Sequence, residues 1–352
     1  MDSLTHAALG ACLGEVMLTR KLGKRALLWG AVAANIPDID VVAALWLPPY
    51  QNLLVHRGFT HSFLFALLLA LVLAVLAGKW QKEREIHWSH FFAFFLIQFL
   101  THDLLDTCNA YGTGLLEPFS QERFTFHLLY VADPLFTLWP CLGVAGLLLL
   151  RRINPARGRW VLIGLVPAVF YLGYAGFNKN HIKTHVTAAL KQKQISAQRL
   201  FVTPTPFNNW LWYAVAATDS GYYVSNRSVF WPADYQTDFQ FYPKQQQLLN
   251  PVQNQQEVQE LKNFAEDGFY TVERWGGDTL VFNVLRFGQM GGWQNTKARF
   301  AFHYFLSPPE ADNKLVMQRG RLKGWSSETI QRMLKYIFVV PKQEHEQELE
   351  SQ

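Results

Sequence analysis

Long apolar segments alternate with short polar loops along the first half of the chain. They run at about 4–19, 26–47, 62–78, 91–105, 134–150 and 159–176. A helix needs about 20 apolar residues to cross a bilayer, with about 17 near the lower limit. The third, fifth and sixth segments meet that length, and the other three are shorter or carry acids and histidines. The pattern predicts an all-α polytopic membrane bundle of about six apolar helices.

The pattern changes at about residue 185. Short aromatic and β-branched runs such as GYYVSNRSVF and DTLVFNVLRFG are separated by Gly, Pro and Asn, which is typical of strands and turns. Two segments, EVQELKNFAED and SSETIQRMLKYIF, have the pattern of helices, and Ser326 or Ser327 is available to cap the second. We therefore expect a transmembrane domain over 1–178, a soluble α+β domain over 185–340 and a solvated polar tail over 341–352.

Composition and charge agree with a membrane protein. Hydrophobic residues make up 50% of the 352 residues and charged residues 17%, against about 25% charged in an average soluble protein. The net charge of +5 does not indicate nucleic-acid binding, because the basic residues lie in short loops between apolar runs. They follow the first, third and fifth segments: Arg20, Lys21, Lys24, Arg25, Lys79, Lys82, Arg84, Arg151, Arg152, Arg157 and Arg159.

These basic loops are alternate connections, so the positive-inside rule places all three in the cytoplasm. The other loops and the C-terminal domain are then extracytoplasmic. Candidate chemistry falls on that same side. The polar residues within or beside the apolar segments are His6, Asp38, Asp40, His56, Arg57, His61, His102, Asp103, Asp106 and Asp133. A charge at the bilayer centre costs about 2.5–3.5 kcal/mol, so such residues indicate function. We expect no comparable polar group at the cytoplasmic ends.

The spacing of these residues favours a metal site. His102 and Asp106 are four apart and project from one helical face. Asp38 and Asp40 are two apart and would diverge by about 200° on a regular helix. Pro37 disfavours helical geometry in the residues before it and removes a donor, so the backbone can open there and let both carboxylates converge.

Imidazole with carboxylate is a ligand set that suits zinc, with manganese or iron as alternatives. We predict one or two divalent ions held by His6, Asp38, Asp40, His56, His61, His102 and Asp106. Two ions would suit displacement at phosphorus. Arg57 and Arg123 could clamp an anionic group, and Asp103 or Asp133 could act as general base.

Each feature also has a simpler interpretation. His6 could be a polar residue at a helix start, and Asp38 with Asp40 could form a turn between two half-helices. The stretch HRGFTHS could be an interfacial loop in which Ser62 caps a helix, and His102 could bond Asp106 in a structural role. Each of these interpretations is credible for one feature alone. They are less credible together, because all of the features lie at one depth in the membrane.

Four motifs carry a family resemblance over about the first 135 residues. THAALG, NIPDID, HRGFTHS and HDLLDTCNAYGT, in that order, resemble the bacterial inner-membrane metal-dependent hydrolases of the YdjM type, a family named for a LexA-binding member. The resemblance implies a hydrolase with a bound metal in the inner membrane, with the seven predicted ligands where that family keeps its polar residues. The spacing of His102 and Asp106 is also similar to that in zinc-dependent phospholipase C and P1-type nucleases, although no second such helix is evident.

The sequence leads to three hypotheses. The first is a membrane-bound hydrolase that cleaves a phosphoester by metal-activated water, its substrate a lipid or lipid-linked phosphate because the site lies in the outer leaflet. The second is a transporter of metal or protons, which requires polar residues that continue to the cytoplasmic side. The third is a non-catalytic membrane anchor whose soluble domain binds a partner.

Overall fold

The computed structural model describes residues 1–81, 85–253, 255–265, 268–276, 279–289, 291–293, 295, 298–306, 314–317 and 326–341. The chain divides into two compact units. One is Met1–Gly176 with Pro206–Asn208, and the other is Phe177–Thr205 with Asn209–Gln352. The first unit is helical, and the second contains all the strands named below.

All six apolar segments fold as helices. The α-helices of this part of the chain are α1 Ser3–Leu22, α2 Arg25–Ala33, α3 Pro49–Val55, α4 Phe63–Trp80, α5 Trp88–Asp106, α6 Pro134–Leu149 and α7 Arg157–Gln192. Among the described residues of this part, two 3₁₀ helices, Pro37–Leu45 and Phe59–His61, interrupt them. The second apolar segment is thus α2 followed by a 3₁₀ helix.

Fewer helices than six are long and apolar enough to span a bilayer. Among the described residues, α4 and α7 meet that criterion, and α2 with the 3₁₀ helix Pro37–Leu45 makes a third candidate although its two parts are bent by 55°. The apolar helix α6 has only 16 residues. A membrane helical region with two or three candidate spans is therefore established, and six spans remain a prediction.

Helix α4 exposes large apolar side chains and buries small ones. Its buried residues are Ala66, Ala70, Ala74 and Ala77, and they pack with Phe91, Phe94, Phe95 and Phe99 of α5. Its leucines and valines face outward; Leu68, for example, is 51% exposed. A water-soluble helix would bury these large side chains, whereas lipid is as apolar as leucine and small residues let helices approach closely. The arrangement is typical of a helix that packs on a neighbouring helix on one side and faces lipid on the other.

Glycines bring α1 and α2 into backbone contact. Gly10 and Gly14 are four apart on α1 and face Gly30 of α2. A Cβ on Gly30 would lie 2.0 Å from the Gly10 carbonyl oxygen, so no larger residue fits without moving a helix. This close crossing fixes the end of α2, which precedes the candidate site.

The second unit contains two four-stranded antiparallel sheets, each a meander in chain order. The first sheet consists of β1 Arg199–Pro204, β2 Leu211–Ala217, β3 Gly221–Ser228 and β4 Gln240–Pro243. The second consists of β5 Tyr270–Arg274, β6 Leu280–Gln289, β7 Phe300–Leu306 and β8 Lys314–Met317. The helices α8 Gln256–Phe264 and α9 Ser327–Phe338 accompany them.

The predicted α+β class of this region is confirmed. Six of the strands and both helices follow the expected segments, and Ser326 caps α9 by accepting a hydrogen bond from the Thr329 N–H at 3.1 Å. The strands β1 and β8 were not expected, because RLFVTP and KLVM are short and lack a clear alternation. The end of α7 covers β1 and β2 through Ile182, Val186 and Leu190. The predicted polar tail, apart from Pro341, lies outside the described residues.

Candidate metal centre

Four separate segments bring the predicted ligands into one buried cluster. Helix α1 supplies His6, the 3₁₀ helix after α2 supplies Asp38 and Asp40, the 56–61 segment supplies two histidines, and α5 supplies His102 and Asp106. The break at Pro37 has a direct role. Pro37 occupies the first turn of the 3₁₀ helix, and the Ala34 carbonyl just before the break accepts a hydrogen bond from His102 Nδ1 at 2.6 Å.

Asp38, His61, His102 and Asp106 form a group whose ligand atoms all lie within 4.8 Å of one another. The Asp38 Oδ1 atom is 3.4 Å from His61 Nε2 and 3.6 Å from His102 Nε2. The Asp106 Oδ2 atom is 3.6 Å from His61 Nε2 and 3.7 Å from His102 Nε2. Two imidazole nitrogens and two carboxylate oxygens therefore surround one point.

The hydrogen bonds of the two rings determine which nitrogen carries the proton. A carbonyl oxygen only accepts, so His102 must donate from Nδ1 to Ala34. The Thr60 hydroxyl donates its proton to Asp40 Oδ2 at 3.1 Å, and it can therefore only accept from His61 Nδ1, at 3.1 Å. Both Nε2 atoms then present lone pairs, and these two atoms lie 3.1 Å apart. Facing lone pairs repel each other, and a metal cation between the rings, or a proton on one of them, would remove that repulsion.

A second group, Asp38, Asp40 and His56, shares Asp38 with the first. The Asp40 Oδ1 atom is 3.0 Å from His56 Nδ1, and its Oδ2 atom accepts the Arg57 N–H at 2.7 Å. The side chains of His56 and Asp38 are 28% and 18% exposed, whereas His61, His102 and Asp106 are fully buried. The pair of groups thus has a buried end and a more accessible end.

His6 lies beside the first group and not within it. Its ring stacks on His102 with the centroids 3.8 Å apart, and its Nε2 atom is 3.2 Å from Asp106 Oδ1. The amino group of Met1 also contacts that oxygen. His6 is therefore placed to orient the side chains of Asp106 and His102.

Both predicted arginines are engaged in the protein. Arg57 has a positive φ of 62°, which is strained for a residue with a side chain. Its Nε is 2.9 Å from Asp106 Oδ2 and its Nη1 donates to Asn109 at 2.7 Å. Arg123 donates to the carbonyl oxygens of Leu54 and His56, the latter at 3.1 Å. Arg57 thus contacts the candidate ligand Asp106, and Arg123 contacts the backbone just before Arg57.

Of the two predicted general bases, Asp133 lies at the start of α6, and Asp103 lies on α5 between His102 and Asp106. Asp133 caps α6 by accepting the N–H groups of Leu135 and Phe136 at 3.0 and 3.2 Å, and it accepts the Tyr171 hydroxyl. Its burial raises the pKa of Asp133 to about 6. Asp103 is 1% exposed, and both of its carboxylate oxygens lack a hydrogen-bond partner among the described residues.

Several polar groups were not predicted from the sequence. The expectation of no polar group at the opposite helix ends is wrong, because Glu15 on α1 is buried there. Arg157 Nε and Nη2 each donate to its carboxylate at 2.7 Å. A charged residue within an apolar segment was a signal for Glu15. Thr60 lies inside the HRGFTHS motif, and the loop residue Glu117 had no signal in the sequence.

The donor set fits a divalent transition metal. Neutral imidazole with carboxylate suits zinc, iron or manganese. Metal-bound histidines commonly donate their other N–H to a carbonyl or an acid-linked group, as His102 and His61 do. A cation would also offset the negative charge of Asp38, whereas Asp106 already lies 2.9 Å from Arg57 Nε. The residues could therefore hold a metal ion, and the structure does not specify which one.

The fold and the site define a membrane helical protein with a candidate histidine–aspartate metal centre. Residues 1–182, more than half of the chain, match the family described as "YdjM inner membrane protein", and the chain belongs to this family. The resemblance seen in the motifs is thereby confirmed.

Two curated relatives are similar to this chain. The inner membrane protein YbcI of Escherichia coli (strain K12) is 33% identical over 163 residues, which cover 46% of this chain and 85% of YbcI. The uncharacterized protein YfhP of Bacillus subtilis (strain 168) is 29% identical over 145 residues, which cover 38% of this chain and 42% of YfhP. No solved structure matches.

Proposed function

We propose that this protein is a metal-dependent hydrolase of the bacterial inner membrane that cleaves a phosphoester. The observation that carries the proposal is the 3.1 Å approach of the Nε2 atoms of His61 and His102, with both Nδ1 atoms used as donors. Such an arrangement is suited to a cation. Asp38 and Asp106 supply the negative charge that a divalent ion needs.

The first metal position would be held by Asp38, His61, His102 and Asp106, and a second by Asp38, Asp40 and His56. A bound divalent ion, zinc in our proposal, would lower the pKa of a water ligand and polarise a phosphoryl oxygen. The protein's own residues orient the ligands. Thr60 connects His61 to Asp40 through two hydrogen bonds.

A lipid or lipid-linked phosphate is the substrate class we propose. Large apolar side chains are interleaved with the candidate ligands and point outward. Ile39, between Asp38 and Asp40, is 60% exposed, and Leu104, between His102 and Asp106, is 61% exposed. Phe59 is 44% exposed two residues before His61. A ligand with an acyl or prenyl chain would cover these side chains while its phosphate reached the accessible end of the cluster.

We also propose that the chain crosses the membrane several times, with the site and the second unit on the extracytoplasmic side. The basic loops after the first, third and fifth apolar segments support this orientation. The test is labelling of single cysteines with a membrane-impermeant maleimide in intact cells. Glu122→Cys, near the site, should react before lysis, and Lys24→Cys should react only after lysis; the reverse result overturns the orientation.

The function is tested on the purified full chain. We expect one or two divalent metal ions per chain by plasma mass spectrometry, and EDTA-sensitive hydrolysis of bis(p-nitrophenyl) phosphate and of phosphatidic acid in mixed micelles. Asp106→Asn should lose both properties, whereas His181→Gln, on α7 in the second unit, should keep them. A metal-free wild type, or full turnover by Asp106→Asn, would overturn the proposal.

The transporter hypothesis gains one observation from Glu15, which lies at the opposite end of α1 from His6. Its carboxylate, however, is held by two hydrogen bonds from Arg157, which suits a structural pair better than a proton relay. Zinc uptake by proteoliposomes without hydrolysis would favour the transporter. The anchor hypothesis predicts that EDTA leaves binding of a partner by the soluble domain unchanged.

A further inference from the structure

The carboxylate of Glu117 lies against the HRGFTHS segment. Its Oε2 atom is 3.0 Å from the position of a Cβ on Gly58, and its Oε1 atom is 2.7 Å from that of a Cβ on Gly114. Gly58 follows Arg57 directly, and its carbonyl oxygen accepts the His61 N–H at 2.9 Å. Glu117 therefore lies beside the backbone that connects the candidate ligands His56 and His61.

The two glycines make room for this carboxylate. A methyl group at Gly114 would overlap Glu117 Oε1, and one at Gly58 would also lie 3.0 Å from the Val55 carbonyl oxygen. The Gly114 N–H donates to the Arg57 carbonyl at 2.8 Å, so the two glycine segments are joined at this point. The glycine of the HRGFTHS motif, Gly58, therefore leaves space for the Glu117 carboxylate. The positions of the candidate ligands alone do not explain why a glycine stands there.

Among the described acids near the site, Asp103 and Glu117 lack a hydrogen-bond partner, and Asp103 is fully buried whereas Glu117 is partly open to solvent. It is half-buried, and in the part of the chain that the structure describes its side chain has neither a hydrogen bond nor an ion pair. Asp40 and Asp106 are engaged with His56, Arg57 and His6, and Asp133 caps a helix. Burial raises the pKa of the Glu117 carboxyl, and Arg123 and His61 are the charged and titratable groups that oppose the rise. A carboxylate with a raised pKa accepts a proton more readily near neutral pH.

We propose that Glu117 is the general base of the reaction, an inference that rests on the proposed function. The Glu117 carboxylate would take one proton from the attacking water as the water oxygen bonds to phosphorus. The bond from phosphorus to the leaving oxygen breaks, and Glu117 returns the proton to that oxygen. The metal ligands keep their protonation states throughout.

The test compares Glu117→Gln with Glu122→Gln, an exposed acid on the same loop. We expect Glu117→Gln to keep the metal content of the wild type and to lower kcat for bis(p-nitrophenyl) phosphate by about 10²–10⁴-fold. The acid limb of the pH–rate profile should disappear, and Glu122→Gln should behave as wild type. Gly114→Ala, which displaces Oε1, should lower kcat with unchanged zinc content.

A second measurement does not depend on turnover. Infrared titration of the full chain should show a protonated carboxyl band, distinct from that of Asp133, that Glu117→Gln removes, and zinc loading should shift its titration to lower pH. Unchanged kcat in Glu117→Gln, or a band that zinc does not move, overturns the role of Glu117 while the hydrolase stands. A zinc-loaded wild type without turnover overturns the proposed function itself.

Discussion

The Nε2 atoms of His61 and His102 lie 3.1 Å apart in the fully buried part of the cluster. Each ring donates from Nδ1, His102 to the Ala34 carbonyl and His61 to the Thr60 hydroxyl. The two rings come from segments that are 41 residues apart in the chain. Their approach is therefore a product of the tertiary fold, and the hydrogen bonds behind the rings set the direction of both lone pairs.

Thr60→Val should weaken metal binding without removing a ligand. The valine keeps the shape of threonine but removes the hydroxyl that bridges His61 and Asp40, so only the longer 3.3 Å contact between His61 Nδ1 and Asp40 Oδ2 is left to orient the ring. Loss of such an outer contact typically costs about 10–100-fold in metal affinity. Competition of the purified protein with a fluorescent zinc chelator measures the change.

Thr60→Ser is the matched control, since it retains the hydroxyl and should bind zinc as tightly as the wild type. Equal zinc affinity in the valine and serine variants would show that the hydroxyl does not orient His61.

Much of this site could be predicted from sequence. The i, i+4 spacing of His102 and Asp106 and the break at Pro37 are local features, and they indicated which side chains could converge. The roles of the arginines could not be predicted. Whether Arg57 contacts a ligand or a substrate depends on where Asp106 lies in space, 49 residues later in the chain.

The same distinction holds for the fold. The apolar segments predicted the helices of the first unit and the alternating runs predicted most strands, because both signals are local. The GxxxG spacing of Gly10 and Gly14 is a recognisable pattern for close helix packing. The sequence did not indicate that Gly30 of α2 would be the residue they contact. Glu117 comes close to the HRGFTHS segment only through the path of a long loop, which no periodicity encodes.

Gly30→Ala should destabilise the helical unit. Its Cβ would meet the Gly10 carbonyl oxygen at 2.0 Å and the Ala11 Cα at 3.1 Å, so α1 and α2 must move apart. Overpacking of this kind costs about 1–3 kcal/mol. Thermal unfolding in detergent measures it, with Gly173→Ala of α7 as control because nothing lies within 4 Å of a Cβ there. Equal midpoints for the two variants would contradict the close contact of α1 and α2.

The Asp133 carboxyl should make stability depend on pH. Its folded pKa of about 6 lies above the ordinary value of 3.8, so the native protein binds more protons than the unfolded chain between these values. The free energy of unfolding should therefore fall as pH rises from about 4 to 6 and change little above that. A shift of about two pKa units corresponds to at most about 3 kcal/mol.

The measurement is the difference in unfolding free energy between the wild type and Asp133→Asn at pH 4, 5, 6 and 7. Because asparagine does not titrate, its free energy of unfolding relative to that of the wild type should increase from pH 4 to pH 6 and then level off. A difference that stays constant with pH would mean that Asp133 is already ionised at pH 4.

The ion pair of Glu15 and Arg157 should be a structural element at the end of the bundle away from the metal centre. The two side chains are 5% and 6% exposed, and Arg157 also donates to the Leu147 carbonyl at 2.7 Å. Glu15→Gln leaves a buried guanidinium without its counter-charge, which typically costs about 3–5 kcal/mol. The double variant Glu15→Met with Arg157→Met should recover much of that loss, because no buried charge remains.

Unfolding in detergent measures the stability of both variants, and the zinc content of the folded fraction should equal that of the wild type. A Glu15→Gln variant of wild-type stability, or one that loses zinc while still folded, would instead connect this end of the bundle to the site.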